Sequence, residues 1–448
     1  MITHKITKGI DLRIAGPAEA IFADAPEPAI VAVRPDDFPG IKPKLRVQEG
    51  DAVRTGDPLF VDKNRPDCVF VSPATGVVSK VDLGPRRKLL GVEIAVDRNE
   101  VFGPIPHVPA DRLGSTPREE LCRALLGAGL WPLIRQRPVG KIADPDVEPV
   151  AIFVNGMDTE PLAADPAFAV QGRGEDLQAG IDVLRALSSG PVYLTVRAGA
   201  SLPKEFQALH GVEIHAFDGP HPSGLVGTHL QAIRPLKMGE RVFYLKAQEA
   251  VLLGQWVRSG HYPAQRVVAV AGERAKQRRY FRVRQGARLD ALLGGAPAAG
   301  DRVIQGTVLT GPAGRAFLGF YAQTVTVIHE GAEDRDLFGW GLPQPSRLSI
   351  FKAVWPFGRG VPVSVDARLN GGHRPPVNLG AWERVIAGDV LPTFLLRAIQ
   401  ANDLDEALKL GLLELTEEDV ALCTVVDPCK NDVGKIVRQG LDLYERES

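Results

Sequence analysis

The chain has 448 residues, 44% of them hydrophobic and 24% charged, which fits a soluble globular protein of about three or four domains. Its 53 lysines and arginines nearly cancel 54 aspartates and glutamates, so it lacks the cationic excess of a general nucleic-acid binder. No apolar run reaches about 18 residues, which excludes a helical membrane span; the best candidate, Leu121 to Ile134, is short and holds Arg123 and Pro132.

The opening MITHKITKGIDLRIAG lacks the continuous apolar core and cleavage site of a signal peptide. Four cysteines (Cys68, Cys122, Cys423, Cys429) in so long a chain suit a reducing compartment. Residues 1–101 read as strands and turns. Gly50-Asp51 and Gly56-Asp57 supply tight turns, and Val47, Val53, Leu59, Val61, Val69 and Val71 mark short strands between them. Ser72-Pro73 and Gly76 form a return turn, and Lys88 to Val96 adds another strand. This is the pattern of a barrel-sandwich module like the biotinyl and lipoyl carriers, which present a modified lysine at an exposed hairpin tip. The candidate tip is Lys63-Asn64-Arg65-Pro66. Lys63 lies too close to Leu59 and too far from Ser72, and Pro66 stiffens the turn, so a structural module is expected rather than a carrier arm.

Residues 102–260 form the next unit. Phe102 to Ala110 is a proline-rich linker, and Thr116-Pro117-Arg118-Glu119 predicts a helix start with Thr116 as N-cap. Val150 to Val154, Pro191 to Val196 and Val212 to Phe217 predict strands, separated by helices at Glu175 to Leu187 and Ser201 to Leu209 and closed by a helix at Ala247 to Arg258. That alternation argues for a Rossmann-like parallel α/β domain. Residues 261–330 show strands at Arg266 to Gly272, Tyr280 to Val283, Val303 to Leu309 and Ala322 to Ile328, with a short helix near Ala287 to Leu293, a β-grasp (SLBB-like) order. Residues 331–448 turn to loops and then to a C-terminal helical region, with helices at Pro392 to Gln400, Asp403 to Leu413, Thr416 to Leu422 and Val433 to Leu443. The fold class is therefore α/β multidomain.

Two segments could carry a ligand. Gly219 to His229, GPHPSGLVGTH, follows the third strand of the α/β domain, where open parallel sheets bind ligands. His221, Gly224, Gly227 and His229 make it a candidate ligand or partner loop; a long crossover loop that needs glycine explains it equally well. Leu130 to Lys141, LWPLIRQRPVGK, sets Trp131 and Ile134 beside Arg135, Arg137 and Lys141. Aromatic and apolar groups next to cations suit a planar, carbonyl-bearing ligand, and a basic surface loop with one buried tryptophan is the plainer alternative. No P-loop, GxGxxG, CxxC, HxxxH or G-x-S-x-G string occurs, so neither a catalytic residue nor a metal site is expected. Asp427, Asp432, Glu417 and Glu418 read as helix caps and solvated faces.

Nine strings in order carry a resemblance: ITKGIDLRIAG, PLFVDKNRP, SPATGVV, GLWPLIRQRP, MDTEPLAADP, FDGPHPSGLVGTH, TVLTG, LFGW (Leu337 to Trp340) and LTEEDVALCT. With them the chain resembles the A subunit of the bacterial sodium-translocating NADH:quinone oxidoreductase over almost its whole length. That family is related to the flavoprotein of complex I and to the C subunit of the Rnf complex. Those relatives hold flavin on a GxGGAxFP-type loop and a cluster on four cysteines. Here GLWPLIRQRP stands in place of the first. Around Cys423 and Cys429 the chain departs from the CTFVCPGK-like reading of many members, through Asp427. The resemblance implies a peripheral subunit on the cytoplasmic face of the bacterial inner membrane, without a cofactor of its own, in a complex with five other subunits. NADH, flavins and iron–sulfur would belong to those partners, and ubiquinone would be this chain's ligand. Val33 to Pro43 and Leu130 to Lys141 are the expected contacts: Phe38 and Trp131, with Ile134, would pack the ring, and Arg135, Arg137 and Lys141 would meet its oxygens.

Overall fold

A computed structural model describes residues 1–331, 362–369, 371–377 and 380–447; the LFGW string lies outside these residues. The α/β domain is built on a six-stranded sheet in the order Ile2–Lys5, Glu213–Asp218, Val192–Arg197, Ile152–Asn155, Val242–Lys246, Arg135–Arg137. All neighbours are parallel except the last pair. Strands buried on both faces explain the continuous apolar runs IFV and VFYL. The helices Gly174–Leu187 and Ala247–Ser259 cover one face of the sheet. They touch backbone to backbone: a Cβ on Gly180 would collide with the Ala250 carbonyl, and one on Gly254 with that of Asp176. The helix Val226–Ile233 covers the other face.

The expected helix start at Thr116 is displaced. The helix Arg118–Gly127 begins after Pro117, while the Thr116 hydroxyl donates to the Arg112 carbonyl (2.8 Å) and closes the preceding turn Ala110–Ser115. Ser201 to Leu209 shortens to Lys204–Gln207, started by Pro203.

The barrel-sandwich module pairs a four-stranded sheet (Ile30–Val33, Leu89–Val96, Gly76–Leu83, Ala52–Val53) with a three-stranded one (Pro43–Leu45, Pro58–Asp62, Val69–Val71). Its hairpin tip is tethered, because the Arg65 guanidinium donates to Asp144 (2.9 Å) and Asp146 (2.8 Å) of the α/β domain. The two strands before residue 25 do not join this module. Ile2–Lys5 is an edge of the α/β sheet, and Glu19–Asp24 pairs with Arg279–Arg284 in the third domain. Their alternation resembles that of the strands that follow, and only long-range pairing separates them.

The third domain is a five-stranded sheet, Asp301–Gln305, Thr324–His329, Gln265–Ala271, Arg279–Arg284, Glu19–Asp24. The strand expected to reach Leu309 stops at Gln305, because Gly306 takes φ +117° and turns the chain into a compact loop, residues 307–311. The C-terminal region holds the helices Pro392–Gln400, Leu404–Lys409, Ala421–Val426 and Val433–Glu447 around its own core, which also takes in Leu12, Ile14 and Val139. The helix expected at Thr416 starts later, at Ala421. Asp419 accepts from both the backbone N–H (2.8 Å) and the hydroxyl (3.1 Å) of Thr416, and this turn replaces the first helical turn.

Candidate functional site

The edge strand Arg135–Arg137 runs antiparallel to Val242–Lys246, with Arg135 opposite Tyr244 and Arg137 opposite Val242. Residues two apart share a face of a strand, so both arginines point the same way, toward the C-terminal region. Arg137 is fully buried there. One of its terminal nitrogens donates to Asp419 (2.6 Å) and the other to Glu418 (2.7 Å). Burial opposes the Arg137 charge, but the two carboxylates outweigh it and hold the guanidinium above its ordinary value. Burial would likewise raise Glu418, yet Arg137 and Arg135 keep it below the usual carboxylate range. Glu418, expected on a solvated face, is thus a partner to a buried cation.

Arg135 lies over two aromatic faces, 4.6 Å from the Tyr244 ring centre and 5.0 Å from that of Tyr321. The Tyr321 hydroxyl donates to the Pro132 carbonyl (2.7 Å), which fixes that ring. Arg135 Nε is buried and has no hydrogen-bond partner among the described residues. Beside it opens a cavity of about 590 Å³. Arg135, Gly140 and Tyr244 form one wall, Val308, Leu309 and Thr310 a second, and Thr416, Glu418, Ala421 and Val425 a third. The Thr310 hydroxyl donates to Glu160 (2.9 Å), and Lys246 pairs with Asp158 (3.2 Å). Asn155 and Lys246 end their parallel strands here, so the cavity sits beyond the carboxyl ends of the sheet.

Phe38, Trp131 and Ile134, expected as ligand contacts, are buried in the core. Phe38 packs between Phe70 (4.4 Å) and Phe320 (4.8 Å). Trp131 donates its indole N–H to the Ala143 carbonyl (2.7 Å) and meets Phe243 edge-on. Neither ring has a face to offer a ligand, which corrects the stacking expected of them. Lys141 turns away from Arg135. It pairs with Glu445 and Asp442 and lines a second cavity, of about 860 Å³, against Pro39, Gly40 and the helix Val433–Glu447. The two stretches expected to act together do meet there: a Cβ on Gly40 would lie 3.1 Å from Lys141 Cδ.

The Gly219 to His229 segment is turned inward. The His221 ring bonds Thr159 (3.1 Å), and its backbone N–H donates to Asp11 (2.9 Å). Gly224 donates to the Thr159 hydroxyl (2.8 Å) and accepts from Asn155 (2.9 Å). His229 Nε2 bonds the Ser223 carbonyl (2.9 Å). Burial pushes His221 down to about 4 and His229 down to about 3, so both are neutral near pH 7. A Cβ on Gly227 would collide with the Asp419 carboxylate. Gly224 and Gly227 serve close packing, and in this loop the positive φ for which a crossover would need glycine occurs at Gly219 (φ +138°).

Sequence reasoning missed Tyr244, Tyr321 and Lys246, each an isolated residue without a motif, and gave no role to Asp158 and Glu160 within MDTEPLAADP. A signal was nonetheless present. GLWPLIRQRP, MDTEPLAADP, TVLTG and LTEEDVALCT are remote in sequence, yet all contribute to this one corner. Among the described residues no cluster of histidine, cysteine, aspartate and glutamate could hold a metal ion. All four thiols are buried, and burial pushes Cys68 up to about 12.

Comparison with known proteins gives three family matches: the NqrA N-terminal barrel-sandwich hybrid domain over residues 4–97, the NqrA second alpha/beta domain over 116–262, and the NQRA C-terminal domain (SLBB) over 267–314. Full-length relatives are similar throughout. The A subunit of the Na(+)-translocating NADH-quinone reductase of Neisseria gonorrhoeae is 39% identical, with 99% of each chain covered. That of Pasteurella multocida is 39% identical with both chains fully covered, and that of Serratia proteamaculans 41% with 99% of each covered.

Proposed function

Because the chain belongs to the family of the A subunit of the Na(+)-translocating NADH-quinone reductase, a sodium-pumping oxidoreductase complex, we propose that it supplies a ubiquinone-binding pocket to that complex. The observation that carries this reading is Arg135, held between two tyrosine rings and lining a cavity of about 590 Å³. A quinone head group is a planar apolar ring with two acceptor oxygens. Val308, Leu309, Ala421 and Val425 offer apolar flanks for the ring, and Arg135 offers donors for the oxygens. Of the residues expected from sequence, Arg135 makes the contact, while Phe38, Trp131, Ile134 and Arg137 form the rigid wall behind it. A charge-assisted bond to a carbonyl inside a partly closed pocket is stronger than one in water.

The chain works as a peripheral component on the cytoplasmic face of the membrane and leaves NADH, flavins and iron–sulfur to partner subunits. Two features support this. No helix among the described residues is long and apolar enough to cross a membrane. Trp131 and Leu133, in the GLWPLIRQRP stretch that the resemblance sets in place of a flavin-binding glycine loop, are buried side chains. The test is a titration of the purified chain with ubiquinone-1, followed by fluorescence quenching. Saturable binding that weakens about tenfold or more in Arg135→Gln supports the pocket, since a lost charged hydrogen bond is worth about 1.5–3 kcal/mol. Binding unchanged by Arg135→Gln would rule out this pocket, and the absence of binding would leave a scaffold role.

A further inference from the structure

The Thr310 hydroxyl is shared between the pocket and an ionisable group behind it. Its Oγ donates to Glu160 Oε1 at 2.9 Å while the residue itself lines the cavity. A hydroxyl has one proton to give and two lone pairs to receive. If Glu160 is ionised, that proton is committed to the carboxylate, and Thr310 offers the cavity only an acceptor. If Glu160 carries a proton, Glu160 becomes the donor, and the Thr310 proton is released to point into the cavity. A quinone has acceptor oxygens only, whereas a quinol has two O–H donors.

Resting on the pocket assigned above, we propose that Glu160 and Thr310 form a protonation switch, with neutral Glu160 selecting quinone and ionised Glu160 selecting quinol. No bond forms or breaks in this step except the proton exchange of Glu160 with solvent. The linkage runs both ways: bound quinone holds a proton on Glu160, and replacing it by quinol releases that proton.

The surroundings of Glu160 place the switch near neutral pH. Burial, with the Asp158 carboxylate adding to it, pushes the Glu160 carboxyl up to about 8. Lys246, at the end of its strand, pulls the other way, and Glu418, from the turn before the helix Ala421–Val426, adds to the rise. Lys246 pairs with Asp158 (3.2 Å) rather than with Glu160, and the Glu418 charge is shared with Arg137 (2.7 Å). The Asp158 side chain also accepts the Glu160 backbone N–H (2.9 Å), which fixes the like charges close together.

The experiment is a pH series on the full chain. The dissociation constants of ubiquinone-1 and, under anaerobic conditions, ubiquinol-1 are measured from pH 6.5 to 9 for the wild type, Glu160→Gln and Thr310→Val. Apparent affinity scales with the fraction of the competent form, so quinone binding should weaken about tenfold between pH 7 and 9 while quinol binding holds or tightens. Glu160→Gln, neutral at every pH, should bind quinone with a flat profile. Thr310→Val keeps the carboxyl but not the relay, and should also flatten it. Binding that depends on Arg135 but follows the same pH profile in all three proteins would overturn the switch and leave the pocket standing. Binding indifferent to Arg135 would overturn both.

Discussion

Two segments of this chain look alike on paper. Leu130 to Lys141 and Gly219 to His229 each mix polar residues with chain-turning ones, and each lies beside the central sheet. The fold uses them oppositely. In the second, His221, Gly224 and His229 all bond within the segment or to the neighbouring loop of Asn155 and Thr159. In the first, Arg137 is buried with both terminal nitrogens on carboxylates, but Arg135 rests on two ring faces and lines a cavity. The difference is one of place: Arg137 Nε and His229 Nδ1 also lack partners among the described residues, but both residues are sealed in the core, while Arg135 borders a cavity. A polar group whose bonds are all internal holds structure, and one left with spare capacity in a concave place is equipped to meet a ligand.

The sharpest way to break the contrast is to disturb Arg137, the paired member of the first segment. Arg137→Met leaves Asp419 and Glu418 against a buried apolar side chain. Removing one partner of a buried ion pair costs about 3–5 kcal/mol, and a fall in the urea midpoint would report it. Adding Asp419→Leu and Glu418→Gln should recover most of that loss, since the unpaired carboxylates are its cause. A midpoint unmoved by Arg137→Met would mean that the C-terminal region docks without this pair.

The second segment should fail by acid instead. His221 and His229 are neutral in the folded chain, with values of about 4 and about 3, and ordinary once unfolded, near 6.5. Below pH 6.5 the unfolded chain takes up protons that the folded chain refuses. Their contribution is therefore complete above 6.5 and is lost as pH falls toward 3, with an expected loss on the order of 2–4 kcal/mol by pH 5. Thermal melts across that range should show the loss, and His229→Gln should remove about half of it. Among the described residues no histidine lines the Arg135 pocket, so its ligand binding should not follow the same acid limb.

How much of this was legible in the sequence depended on range. The hairpins of the barrel-sandwich module could be read because Gly50-Asp51 and Gly56-Asp57 encode their turns locally. The candidate stretch containing Arg135 stood out because an aromatic and three cations crowd twelve positions of sequence. The same crowding misled the assignment of roles: composition cannot distinguish Trp131, whose indole N–H is satisfied by Ala143, from an aromatic group that faces a ligand. Tyr321 left no trace, since it reaches the pocket only through packing between domains, and Tyr244 was hidden because its pairing opposite Arg135 is between strands remote in sequence. Strands Ile2–Lys5 and Glu19–Asp24 escaped for the same reason, as their alternation is local but their choice of sheet is not.

The smallest effect tests where the two segments meet. Asp419 is gripped by Arg137 from one and approached by Gly227 from the other, so that a Cβ on Gly227 would overlap its carboxylate. Gly227→Ala must push Asp419 aside or shift the helix Val226–Ile233, and overpacking of this kind costs about 1–3 kcal/mol. If the two segments act on Asp419 independently, the losses from Gly227→Ala and Arg137→Met add. If the alanine works by displacing the carboxylate from Arg137, the double variant loses less than the sum, by about 0.5 kcal/mol or more in a double-mutant cycle. We expect the second outcome, because the carboxylate oxygen nearest Gly227, Asp419 Oδ1, has no hydrogen-bond partner among the described residues to hold it in place, and only the bonds from Arg137 and Thr416 to Oδ2 restrain the group.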